Sequence, residues 1–252
     1  MADTLTTRIP NGVTNAALYQ TMGQAGIPDP SWAHVYHNDF DVYAAADWTV
    51  TKVGTGTAAL AAVDGGQLLL TTTAGAADAV YNQLTAASFK AVAGKDIWFK
   101  LNGILSEVAN SVVYGGLIAT GATPLTTTDG IYISKPTGSG ALQLNCVVGG
   151  VATVAAFPAA CVVANNVPFE IGFHVDSNGA VEAFYNPSTG ADWQQIDPVS
   201  TSTPTMSARG RVALAVPAAL TQVLLNPSFG ILNSTAAART FGVDYVTVVR
   251  NR

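Results

Sequence analysis

Charge is scarce in this sequence. Asp, Glu, Lys and Arg make up 11% of its 252 residues, where about 25% is usual for a soluble domain. There are three histidines, three glutamates and two cysteines. No apolar run approaches the ~18 residues needed to cross a bilayer, which argues against a membrane partner. The opening MADTLTTRIPNG has no charged segment leading into an apolar core. No secretory leader is therefore expected, and the chain is read as folding in a cytoplasm. Cys146 in LQLNCVV and Cys161 in PAACVVA lack the paired spacing of a zinc site, and a reducing compartment keeps both as thiols. Gly149–Gly150, read as a two-residue hairpin turn, places Cys146 opposite Thr153, so buried free thiols are expected.

With so few ions, the surface must consist mainly of Thr, Ser, Asn, Gly and Ala. Burying hydroxyls and methyls costs far less than burying ions, so such a surface suits packing against neighbours. The net charge of −5 is unevenly spread: from Val199 onward Arg209, Arg211, Arg239, Arg250 and Arg252 face one acid, Asp244. A nucleic-acid site needs a denser basic patch with interleaved aromatics. The arginines are instead read as interface contacts, with Arg209, Arg211, Arg250 and Arg252 forming a basic edge.

Two textures divide the chain. Residues 1–33 hold RIPNG, a short helical patch NAALYQTMGQ and AGIPDPSW, where prolines and glycines interrupt any regular element. Leu18, Tyr19, Met22, Ile27 and Trp32 give this arm too many apolar anchors to be merely solvated, so it is read as a docking arm. From residue 34 to 252 short runs rich in Val, Ile, Thr, Phe and Tyr alternate with Gly, Pro, Asn and Asp clusters. Strands are expected at DFDVY, WTVTKVG, GQLLLTTT, AVYNQL, DIWFKLNGIL, VVYGGLIAT, GIYISKP, LQLNCVV, VATVAAF, FEIGFHVD, AVEAFY, RVALAVPA, LLNPSFGIL and FGVDYVTVV. Many short strands with frequent turns predict an all-β sandwich or barrel. One hairpin can be read in register. A three-residue loop Ser177–Asn178–Gly179, with Gly179 left-handed, sets Val175 against Val181 and Ile171 against Tyr185. It also places His174 across from Glu182 on the opposite face.

The candidate sites are few. His34, His37, Asp39 and Asp41 crowd into HVYHNDFDVY, but a metal site needs three or more ligands and only His174 remains to help. The stretch is read as the start of the first strand beside a turn-forming Asn-Asp, with no metal. Two-carboxylate catalysis needs acids roughly 5–10 Å apart. The three glutamates, Glu107, Glu170 and Glu182, form no acidic strand, and no catalytic residue is expected. The glycine pairs in VDGGQLLLTTT and VVYGGLIATG lack a following helix and a GK[ST], so they are not phosphate loops. Trp193, in the polar loop NPSTGADWQQIDP, is a candidate platform for a sugar ring. No cofactor is implied.

The order NDFDVY, DWTVTKVGTG, DGGQLLLTT, GKDIWFKLNGIL, YGGLIATG, TDGIYI, FEIGFHVDSNGAVEAFYN and FGVDYVTVVRNR resembles antiparallel jelly-roll sandwiches of the concanavalin A-like type. The closing FGVDYVTVV, a strand rejoining the sheet beside the first, is the most typical piece. With the arm before it, the whole resembles virion structural proteins of tailed bacteriophages, of the head decoration or auxiliary capsid type. That resemblance implies a non-enzymatic protein of the virion, assembled in the host cytoplasm. It would dock on the major capsid protein or other virion proteins as a homo-oligomer, a dimer or trimer, and would cement the head. It carries no functional residues with it. The alternative is a lectin-like carbohydrate-binding module for host attachment, although the Asp/Asn calcium cluster of such lectins has no counterpart here.

Overall fold

The structure, a computed structural model, describes residues 33–121, 123–187, 212–215, 220 and 222–252. Among them the chain forms fifteen strands. The first five are β1 (Ala33–Asn38), β2 (Trp48–Val53), β3 (Thr57–Leu60), β4 (Leu68–Thr71) and β5 (Ala79–Leu84). The next five are β6 (Ile97–Leu105), β7 (Ser111–Ile118), β8 (Gly130–Lys135), β9 (Gln143–Val148) and β10 (Val151–Ala156). The last are β11 (Pro168–Val175), β12 (Ala180–Asn186), β13 (Val212–Ala215), β14 (Asn226–Asn233) and β15 (Thr240–Asn251). No described helix is long and apolar enough to cross a membrane.

The strands form two sheets with antiparallel pairing throughout. One has eight strands in the order β13-β12-β11-β6-β15-β4-β3, with β1 also on β15. The other has seven, in the order β10-β9-β8-β7-β14-β5-β2. Twelve-residue β15 pairs with β6 along its length, while its first part meets β4 and its second part meets β1. The last long strand thus lies beside the first, as the resemblance implied, although that first strand is Ala33–Asn38.

The core lies between the sheets and follows the alternation of the strands. In β6 every second side chain, Ile97, Phe99, Leu101 and Leu105, is buried. On β11 Phe169, Ile171, Phe173 and Val175 do the same, and Phe99 stacks on Phe173 at 5.1 Å. The facing strand β7 turns Val113 and Leu117 into this core. Gly115 between them lets the sheets approach, since a Cβ there would lie 3.0 Å from Leu101 Cδ1.

Both hairpins read from the sequence have the expected register. Val175 pairs with Val181, Ile171 with Tyr185 and His174 with Glu182, and Gly179 has φ +83°. Cys146 pairs with Thr153 across Gly149–Gly150, which both have positive φ. Cys146 and Cys161 are both buried and are not joined in a disulfide.

The reading of DFDVY as a strand is overturned. β1 lies upstream, and the chain turns at Asn38, whose Oδ1 accepts the Phe40 N–H at 2.9 Å. Phe40 takes φ +55° and swings fully into the core, 5.9 Å from Trp48 and 5.8 Å from Phe229. Burial of one large ring outweighs the local cost of the left-handed backbone. Asp39 and Asp41 are left exposed on the turn and do not share a strand face with His37.

The outer face of the seven-stranded sheet is also covered at its centre. Tyr81, Tyr114 and Tyr132 form a buried row there with Ile118 and Val147, and Leu125 and Leu232 pack against them. Gly230 and Gly116 make room for the rings: a Cβ on Gly230 would sit 2.7 Å from Tyr81 Cδ1 and 2.9 Å from Tyr114 Cε1. The Tyr114 hydroxyl is satisfied by Ser228 Oγ at 2.9 Å.

Candidate functional site

The outer face of the eight-stranded sheet carries the chemistry. Because side chains alternate, one register row crosses it through Val35, Val249, Trp98, His174 and Glu182. The next row holds His37, Thr247, Lys100, Gly172 and Phe184, and a third holds Tyr245, Asn102, Glu170 and Asn186. Most of these side chains are half-buried. They come from five strands, so the face exists only in the folded sheet.

Two constructions occupy it. Trp98 and His174 lie flat on one another, with ring centroids 3.5 Å apart and planes within 5°. Asp96 Oδ1 holds His174 Nε2 at 3.3 Å and Asp96 Oδ2 accepts from Asn251 at 3.0 Å. Beside this plate, Glu170 is the hub of a network. Lys100 Nζ lies 2.9 Å from its Oε1, Asn186 Nδ2 donates to Oε2 at 3.0 Å, and the Tyr245 hydroxyl donates to Oε1. Lys100 also sits 4.9 Å above the Tyr245 ring. Burial first, and then the Glu170 bond and charge, push the Tyr245 phenol far above its ordinary range. It stays a neutral donor at any physiological pH.

Glu170 and Glu182 do not form a catalytic pair. Glu170 pairs with Asn186 and Glu182 with His174, four residues apart along the strands, or about 13 Å at the usual rise. That exceeds the ~5–10 Å that two-carboxylate hydrolysis needs. Glu107 is structural: Arg239 Nε donates to it at 2.6 Å and the Asn110 N–H donates at 3.1 Å. Burial opposes its charge, but Arg239 and the N–H groups of Asn110 and Ala109 outweigh that and hold the carboxyl below its usual value. Asp244, at an irregularity in β15, is raised by burial and then by the charges of Asp39 and Glu170.

The crowded histidines each have a partner in the protein. His34 stacks on Phe89 at 4.7 Å, and burial, with Arg250 and Arg252 beside it, lowers its pKa. His37 Nδ1 meets Thr247 Oγ1 at 2.7 Å. Among the described residues no group of three His, Cys, Asp or Glu could hold a metal ion.

Of the residues singled out from the sequence, Leu18, Tyr19, Met22, Ile27, Trp32, Trp193, Arg209 and Arg211 lie outside the described residues. Arg250 and Arg252 end β15 and its tail beside His34. Sequence reasoning passed over Trp98, Lys100 and Tyr245. The alternation in IWFKLNGIL does place Trp98, Lys100 and Asn102 on one face, but nothing local brings Glu170 and Tyr245 to them.

No protein-family model matches the sequence, and no curated protein sequence is significantly similar to it. Solved structures are similar in fold. The UEA-II lectin complexed with galactose aligns at TM-score 0.58 and 8% identity, over 87% of this chain and 99% of that one. The CBM2 module of the evolved Dit of Lactobacillus casei BL23 phage J-1 aligns at 0.52 and 8%, over 86% and 96%. A Bacillus licheniformis β-glucanase aligns at 0.55 and 13%, over 85% and 97%. The fold is a lectin-type jelly-roll sandwich. At these identities the likeness concerns architecture, and function has to be argued from the site.

Proposed function

We propose that the chain is a non-enzymatic structural protein of a tailed-bacteriophage particle, a decoration protein that docks on the major capsid protein and stabilises the head. One observation carries this reading: Glu170 and Glu107, two of the three glutamates, are each held by other side chains. Glu170 is held by Lys100, Asn186 and Tyr245, and Glu107 by Arg239 and Asn110. With only 11% of its residues charged, the chain offers neighbours a surface that costs comparatively little to desolvate. The similar CBM2 module is part of a phage protein, which supports the use of such a sandwich by a phage. Glu170 and Glu182 are too far apart for two-carboxylate hydrolysis, which weighs against the chemistry of the β-glucanase neighbour.

The test uses heads purified from phage lacking this protein. Added full-length chain should co-sediment saturably and raise the temperature at which the heads open. A version without residues 1–30 should keep its β-sheet circular dichroism but stay in the supernatant. Failure of the full chain to bind the heads sinks the reading.

A second reading, carbohydrate binding, is favoured by the half-buried Trp98–His174 plate beside Lys100 and Glu170. A flat aromatic surface next to hydrogen-bonding groups suits a sugar ring, and the UEA-II neighbour is a lectin with galactose bound. If this holds, a glycan array gives hits, and Trp98→Ala weakens them about tenfold, or ~1.4 kcal/mol. A variant that binds as the parent does removes the plate from consideration, and Trp193→Ala is then the comparison to make.

A further inference from the structure

The last strand ends on a cation with no acceptor for its charge. Arg250 of β15 lies directly opposite His34 of β1 on one side and Ile97 of β6 on the other. Ile97 is fully buried, and directly opposite residues share a sheet face, so Arg250 and His34 turn to the inner side at this end of the sandwich. The Arg250 Nε is buried and meets no hydrogen-bond acceptor. Among the described residues no carboxylate lies within ion-pair distance of Arg250 or Arg252. Asp96, next to Ile97, is turned to the outer face, where His174 and Asn251 share it.

The segments packed at this end add positive charge. The His34 ring stacks on Phe89 at 4.7 Å. Phe89 belongs to residues 79–95, which contain Lys90 and Lys95 and no acid. Leu225, bonded to Phe89 through both backbone groups, belongs to residues 212–238, which contain no charged residue at all. A guanidinium cannot shed its proton to relieve this crowding, and a buried donor without an acceptor bears its desolvation cost in full. His34 yields instead: burial, then Arg250 and Arg252, lower its pKa. The fixed charge that a ligand meets is thus that of two arginines. Arg252 is exposed and Arg250 and His34 are half-buried.

We propose that Arg250, Arg252 and His34 form a binding site for a phosphate group, whose oxygens accept from the Arg250 guanidinium, Nε included, and from Arg252 and the His34 ring N–H. The planar guanidinium fork suits phosphate and carboxylate oxygens alike. Charge decides between them, since a phosphate monoester carries about −1.5 to −2 at pH 7 and so balances two arginines, whereas a carboxylate balances one. The inference does not depend on either reading of function above.

The experiment is an NMR titration of the isotope-labelled full chain with inorganic phosphate at constant ionic strength. The Nε–H signals of Arg250 and Arg252 and the ring signals of His34 should shift together and saturate, while those of His37 and His174 stay. The pH midpoint of His34 should rise at saturation, because phosphate offsets the two arginines and Lys90, while Asp96 faces the other way. Arg252→Gln, at an exposed position, should weaken binding about tenfold, and acetate should bind the parent at least about tenfold more weakly than phosphate. Arg250→Gln, checked for an unchanged thermal midpoint, should abolish saturation. Lys52→Gln, on exposed β2, should bind as the parent does. The absence of a saturable shift in the full chain overturns the proposal, including the case where an acid from residues 1–32 takes the place. Acetate binding as tightly as phosphate overturns it too, as does undiminished binding by Arg252→Gln.

Discussion

Lys135 closes β8 with its side chain fully buried, on the inner face of the sheet, donating to Val108 O. Burial pushes its ammonium down to about 8, against an opposing pull from Glu107. An unfolded lysine keeps its proton up to ~10.4. Above pH 8 the unfolded state therefore binds more protons than the folded one, and stability rises with pH. The buried thiols act in the other direction. Burial raises Cys146 and Cys161 to about 11, so once unfolded thiols ionise, near 9, the folded state loses ground. Between pH 8 and 9 the lysine alone contributes a gain of roughly 1 kcal/mol, and the two thiols offset a comparable amount. Scanning calorimetry should therefore show a Tm that changes little in the parent but falls by about 2–4 °C across this range in Lys135→Met. The same pH dependence in both would exonerate the lysine. Nothing in GIYISKP marked this residue, because a strand pattern does not say which face meets the core at a sheet end.

At the level of elements, Gly230 shows what a strand pattern conceals. It sits in β14, at the centre of the seven-stranded sheet, under the rings of Tyr81 and Tyr114. Gly230→Ala would place a methyl 2.8 Å from Val80 O, a backbone atom that cannot rotate away. The expected cost is about 1–3 kcal/mol of overpacking, read as a lower urea midpoint. An unchanged midpoint would mean the tyrosine layer is loose. Half-buried elements such as β6 and β11 were legible, since one face is wet and the alternation is clean. So were the hairpins at Ser177–Gly179 and Gly149–Gly150, where turn chemistry sets the register. Buried on both faces, β5 and β8 show no such alternation, and their tyrosine layer could not be read. β3, Thr57–Leu60, escaped notice because its TAAL is poor in β-branched residues and it gains its place only by pairing with β4. The site was legible by halves: Trp98 and Lys100 share a face in sequence, while Glu170 and Tyr245 arrive through long-range pairing.

For the whole molecule, scarcity of charge and the placing of what charge there is point the same way. Among the described residues the ion pairs lie on one sheet face and at the Glu107–Arg239 turn, and β10 carries no charge. Such a body can be covered by neighbours while stranding few ions, and whatever binds only the folded form then adds to its stability. The order of the strands has a different consequence. β14 and β15 follow every other strand in the chain, yet β14 lies between β7 and β5, and β15 between β6 and β4. Until residues 226–251 have left the ribosome, each sheet is two unjoined halves with open inner edges. The sandwich must therefore close only once residues 226–251 have been made, in a late step dominated by distant contacts, and a nascent chain stalled before Asn226 would be a target for chaperones.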